Sequence, residues 1–99
     1  MPKKDDYIFL NRKLSLRDYY DQDWDLVQAN PKKLFDFIAL YENDNLDDMK
    51  KVALMALIVA SYDDFLNEFG DETKIWDKIS SHLKANEKLH WYTISYWSC

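Results

Sequence analysis

The stretch from Leu46 to Phe69, LDDMKKVALMALIVASYDDFLNEF, constrains the fold more than any other part of the chain. Nine consecutive apolar residues, Val52 to Ala60, occupy its middle. A membrane span needs about 20, so this run reads as protein core. It is rich in Ala, Leu and Met, which favour helix. Leu46, Met49, Ala53, Leu57 and Ala60 recur at helical spacing, and Leu54, Ile58, Tyr62, Phe65 and Phe69 make a second stripe. A helix with two apolar stripes is buried on most sides. Its ends are acidic, with Asp47 and Asp48 at the start and Asp63, Asp64 and Glu68 near the finish. The expectation is the central helix of a small bundle, with its middle in the core and its ends in solvent. Ser61-Tyr62-Asp63-Asp64 also has the form of a capping box. The stretch therefore reads either as one helix or as two, with a break near Ala60 and a restart at Ser61.

The flanking sequence supplies the rest of a bundle. Met1 to Asp6 is polar and expected to fray. Tyr7 to Leu10 is a short apolar run, either a strand or a staple pinning the N-terminus; it is too short for periodicity to decide. Ser15 with Asp18 suggests a cap for a short helix over about Leu16 to Tyr20. Asn30-Pro31 is the clearest helix start, because Asn caps well and Pro suits the first turn. That helix is predicted to run to about Tyr41, with Leu34, Phe35, Phe37, Ile38 and Tyr41 as its apolar face. Asn45 is a candidate cap for the central helix. Gly70 suits a C-terminal cap. Asp71, Glu72 and Thr73 then open a further helix with inner residues Ile75, Trp76, Ile79, Ser80 and Leu83, ending near Asn86. Leu89 to Trp97 is rich in β-formers and is expected to be extended. The predicted architecture is a single domain over residues 1–99, mainly α, a small bundle of four to five helices with short extended terminal segments. A chain of 99 residues buries roughly 60–70% of its unfolded surface, enough for one core without staples.

Cysteine and charge narrow the setting. The one cysteine, Cys99, permits no disulfide within the chain, and no apolar segment follows the charged start in the manner of a signal peptide. A cytoplasmic protein is the expectation. Residues 1–17 carry five Lys/Arg against two Asp, residues 18–72 four Lys against fourteen Asp/Glu, and residues 73–99 four Lys against two acids. The middle section is thus at −10. Phosphate binding needs Lys and Arg, so direct nucleic-acid binding is disfavoured and a basic partner favoured. Nothing points to a membrane partner.

Chemistry-bearing patterns are few. Asp21, Asp23 and Asp25 alternate as in a calcium loop, but Leu26 stands where the EF-hand needs Gly and Lys32 where it needs Glu. His82 and His90 lack companions for a zinc site and read as surface or tail residues. Cys99 reads as a plain thiol. One glycine leaves no phosphate loop. No catalytic, metal or cofactor residue is assigned. The strongest functional segment is Tyr19 to Asp25, where Tyr and Trp, common binding hot spots, alternate with carboxylates able to pair with Arg or Lys. Trp24 is expected to be at least half-buried.

This segment, YYDQDWDL over Tyr19 to Leu26, resembles the YFHQDWD signature near the start of a family of small immunity proteins from bacterial contact-dependent growth inhibition systems. Chain length, the short helix expected before the signature, the Pro-initiated helix after it and a late helix carrying Trp76 are also similar. Asp21 stands where the family has His, and Phe69-Gly70-Asp71 is the nearest match to the family's later Gly-Tyr-Tyr or Cys-Tyr-Tyr stretch. The resemblance implies a helical, cytoplasmic immunity protein. Such a protein binds one-to-one to the C-terminal toxin domain of a delivered effector, often a basic nuclease, and blocks it without catalysis or cofactor. The residues expected to meet the toxin are Tyr19, Asp21, Asp23, Asp25, Glu42, Asp44, Asp63, Asp64, Glu68, Asp71 and Glu72. Rival readings are an acidic mimic of nucleic acid, an adaptor with an exposed apolar patch, and a small hydrolase with paired carboxylates.

Overall fold

The long apolar stretch forms one helix. In the computed structural model, which describes residues 1–70 and 73–98, it is continuous from Asp48 to Phe69 (α4). Its cap is Asp47, whose carboxylate accepts the Lys50 N–H at 3.0 Å, rather than Asn45. No break occurs at Ser61. That residue is fully buried, and its hydroxyl accepts the backbone N–H of Asn30 at 3.1 Å. The capping pattern there is outweighed by a tertiary bond. Leu54, Met55, Leu57 and Ile58 are sealed from solvent. Gly70 ends the helix at φ +88°, a region glycine alone adopts without strain, and donates to Leu66 O at 3.0 Å.

Around α4 stand α1 (Lys4–Lys13), α2 (Trp24–Gln28), α3 (Leu34–Asn43), α5 (Thr73–Ala85) and α6 (Trp91–Trp97), with a 3₁₀ turn at Pro31–Lys33 leading into α3. Five of these six helices have seven residues or more; α1, the five-residue α2 and α6 are helices that the sequence reading did not place. α1, α2, α3 and α6 all pack on α4. The buried apolar residues of the bundle make one connected cluster, from Leu10 of α1 to Ile75 and Ile79 of α5.

Both ends depart from expectation. Lys4 to Asp6 is helical rather than frayed, and Tyr7 to Leu10 is helix rather than strand; with Leu10 sealed in the core and Tyr7 packed on it, the run does pin the N-terminus, as its alternative reading expects. The Asp6 carboxylate accepts the Lys3 N–H at 2.8 Å, which starts the helix. Lys50 then holds Asp6 at 3.2 Å and Asp47 at 2.8 Å, fastening α1 to the beginning of α4. Leu89 to Trp97 is not extended: Leu89 and His90 lie in a turn and α6 follows. Packing overrides β-propensity here, because Thr93 is buried and Trp97 lies against the core one turn on.

The helix expected over Leu16 to Tyr20 is absent. Ser15 is not a cap; it turns the chain out of α1 at φ 56°. Lys33 Nζ donates to the carbonyls of Leu14 and Ser15, both at 3.2 Å, placing a cation at the C-terminal end of α1 where the helix dipole favours it. Asn30 Oδ1 accepts the Lys32 N–H at 2.9 Å, as the Asn-Pro start predicts. In α5, Ile75 and Ile79 face inward, but Trp76 remains 42% exposed, its ring stacked on Tyr62 at 5.5 Å. The expected opening of α5 at Asp71 and Glu72 lies outside the described residues.

Candidate functional site: an aromatic and acidic groove

The irregular segment between α1 and α2 is held by two buried amides. Asn11, one turn after Tyr7, accepts from Trp24 Nε1 at 2.9 Å and from Gln28 Nε2 at 3.2 Å, and donates to Tyr19 O at 2.7 Å. Gln28, one turn after Trp24, donates also to Arg17 O at 2.8 Å. Tyr19, one of the residues expected to meet a partner, is partly buried and packs on the core, and its hydroxyl donates to Gln22 O at 2.5 Å. Its role is to shape the loop. Trp24 is 2% exposed, with its ring 4.9 Å from that of Tyr7. Asp23 turns the chain into α2 at φ 58°, a left-handed conformation that Asp tolerates better than most side chains.

This frame positions one wall of a groove of about 690 Å³. Tyr20, Asp21 and Asp23 come from the loop, Trp24 and Asp25 from α2, and Tyr7 from α1. A second part of the lining is α6, through Tyr92, Tyr96 and Trp97. Ala53 and Ala56 of α4 line the groove too, small side chains that take up little of its space. The volume falls in the range of about 300–1,000 Å³ usual for binding clefts. Tyr20, Tyr92 and Tyr96 are 38%, 67% and 53% exposed, so aromatic surface is presented to solvent rather than used up in the core.

Charge is concentrated on one wall. Asp21 and Asp23 are exposed and Asp25 is half-buried. Among the described residues no Lys, Arg or His forms an ion pair with any of the three. Burial holds the Asp25 carboxyl above its ordinary pKa, and the charge of Asp23 adds to the effect against hydrogen bonds from the local backbone. Burial likewise raises the Tyr7 hydroxyl, with Asp25 and Asp6 contributing.

The remaining acids lie elsewhere. Glu42 is engaged by His82 at 2.7 Å and Lys78 at 3.3 Å, joining α3 to α5; these contacts, the His82 bond foremost, hold its pKa below the usual value. Asp44 pairs with Lys13 at 3.6 Å. Asp63, Asp64 and Glu68 stand on the last turns of α4; Asp63 is seven residues past Ala56, about 10 Å along the axis. Asp71 and Glu72 lie outside the described residues. Of the eleven residues expected to meet a partner, the fold thus brings Asp21, Asp23 and Asp25 together in the groove and sets the other described ones apart.

The aromatic residues of α6 were not among those expected. Tyr92 and Tyr96 are four apart, a helical spacing that puts both on one face, but the β-forming composition masked it. His90 also departs from its surface reading: it is 1% exposed, with Nε2 2.8 Å from the Tyr41 hydroxyl. Among the described residues no cluster of three or more His, Cys, Asp or Glu is placed to hold a metal, and no helix is long and apolar enough to cross a membrane. Comparison with protein-family models, with curated proteins and with solved structures finds no match to this chain.

Proposed function

We propose that this protein is a stoichiometric inhibitor, an immunity protein that binds a basic toxin domain of the contact-dependent growth inhibition type. The observation that carries the reading is that Asp21, Asp23 and Asp25 line a groove rich in Tyr and Trp and, among the described residues, form no ion pair. The same eight residues, Tyr19 to Leu26, carry the family resemblance. Acidic side chains steer a basic partner to the surface, and aromatic rings supply rigid contact area once it arrives. Binding, rather than catalysis, is the role these groups suit. A nucleic-acid mimic would need a longer ordered stripe of charge, whereas the acids here are divided among the groove, the α3–α5 link and the end of α4.

The test is co-purification with the C-terminal toxin domain encoded by the adjacent upstream reading frame, followed by affinity against salt. The expected result is a tight one-to-one complex that weakens as salt rises. A complex indifferent to salt would move the binding energy from the carboxylates to the aromatic rings. Absence of a complex would overturn the immunity reading for that pair.

A further inference from the structure

The groove has the composition of a receptor for a planar cation. Its carboxylates sit on the wall made by the loop and α2, and aromatic rings both there and on α6. Asp25 is half-buried near the charge of Asp23 and, among the described residues, forms no ion pair, an arrangement a bound cation relieves. The ring of Tyr20 already accepts one ammonium, that of Lys4, 4.6 Å from its centroid. The Thr93 side chain is only 5% exposed and lines the groove, and among the described residues nothing hydrogen-bonds its hydroxyl. A threonine hydroxyl in such a lining can accept from a donor that enters the groove.

We infer that the groove receives an arginine side chain of the partner, its guanidinium against the aromatic wall and paired with the carboxylates of Asp21, Asp23 and Asp25. This deepens the proposed function and rests on it for the identity of the partner, though not for the chemistry of the site. Arginine fits better than lysine for two reasons. Its guanidinium is flat and stacks on aromatic faces, and its five N–H donors can serve three carboxylates and a hydroxyl at once. An ammonium is a compact, strongly hydrated charge that loses more on leaving water. The groove is larger than one side chain, so the partner's backbone on either side of the arginine also enters it.

The experiment titrates the intact protein with four capped pentapeptides, Gly-Ser-X-Ser-Gly, in which X is arginine, lysine, citrulline or norleucine. Backbone amide shifts are followed by nuclear magnetic resonance. The arginine peptide is expected to bind weakly, at about millimolar concentration, and to move the resonances of residues 20–26 and 91–97. Citrulline keeps the shape without the charge and should bind at least about tenfold less tightly. Asp25→Asn and Asp21→Asn, each verified as folded by circular dichroism, should weaken the arginine peptide, while Asp64→Asn should not. No shift with the arginine peptide, shifts confined to other surfaces, or equal binding by citrulline would overturn the inference. Equal binding by the lysine peptide would overturn the assignment to guanidinium. The outcomes separate from those of the proposed function. A toxin complex unaffected by Asp25→Asn leaves immunity standing and removes the arginine. A groove that binds the arginine peptide without any toxin complex does the reverse.

Discussion

Trp24 Nε1 donates to Asn11 Oδ1 at 2.9 Å, in a pair more than nine-tenths buried. This bond ties the acidic segment to α1, and through it the groove wall is built on helix rather than on a free loop. Replacing Asn11 by Ala leaves the indole N–H without its acceptor, deprives Gln28 of one of its own, and removes the donor to Tyr19 O. Asn11→Ala should destabilise the protein by about 2–3 kcal/mol, the cost of orphaned buried polar groups. Urea denaturation would measure it. Partner binding should fall as well, since the positions of Asp21 and Asp23 depend on this anchor. Unchanged stability would show that the network closes without Asn11.

Asp25 sets stability against binding. Burial raises its pKa, so the folded state holds its proton more tightly than the unfolded chain does. Its ionised form therefore works against folding, and its contribution grows more favourable as pH falls through the raised pKa. Asp25→Asn removes the charge and should raise Tm by a few degrees while weakening the proposed complex with a basic partner. A scanning calorimeter and a binding titration on one preparation would check both signs. A variant that loses both stability and affinity would mean that backbone hydrogen bonds to the carboxylate outweigh its burial.

The acids of the groove and those at the end of α4 should separate in a binding assay. Asp21→Ala or Asp23→Ala is expected to cost about 1–3 kcal/mol of affinity where the carboxylate forms a desolvated pair with the partner. Asp64→Ala and Glu68→Ala should change it by less than about 0.5 kcal/mol, as distant surface substitutions usually do. Comparable losses at both places would mean that the contact spreads along α4.

Ser61 illustrates what sequence conveys and what it conceals. The long helix was legible because apolar residues at two interleaved stripes leave α4 nowhere to go but the core. The α3 start was legible in Asn30-Pro31, and the sole glycine in the terminus of α4. Ser61 read as a cap because capping chemistry is local, yet its hydroxyl serves Asn30, thirty-one residues back. The same holds for the site. The alternating acids were visible, but their groove needs α6, whose β-forming residues become helical only when Thr93 and Trp97 find the core. Ser61→Ala should cost about 1 kcal/mol by urea denaturation, the loss of one hydrogen bond to a backbone N–H, and leave partner binding unchanged.

The turn that leads into α6 makes stability sensitive to mild acid. His90 is 1% exposed, bonded through Nε2 to the Tyr41 hydroxyl, and among the described residues its Nδ1 has no hydrogen-bond partner. Burial, with Lys51 of α4 and His82 of α5 adding positive charge against the opposing effect of Asp48, lowers its pKa from 6.5 to about 4. The folded state thus holds the His90 proton less tightly than the unfolded chain. The contribution of neutral His90 should be complete above pH 6.5 and be lost as pH falls toward 4, by up to about 3 kcal/mol over that window at 1.36 kcal/mol per pKa unit. Glu42 acts lower down: its pKa is depressed by His82 and Lys78, so its contribution disappears only below the ordinary carboxylate range. Urea midpoints measured at intervals from pH 7 to pH 4 should fall steadily for the native chain. His90→Leu should flatten the curve above the carboxylate range, whatever its effect at neutral pH. A native chain equally stable at pH 7 and pH 5 would show that His90 accommodates its charge in place, and the turn into α6 would then not be the point at which acid opens the fold.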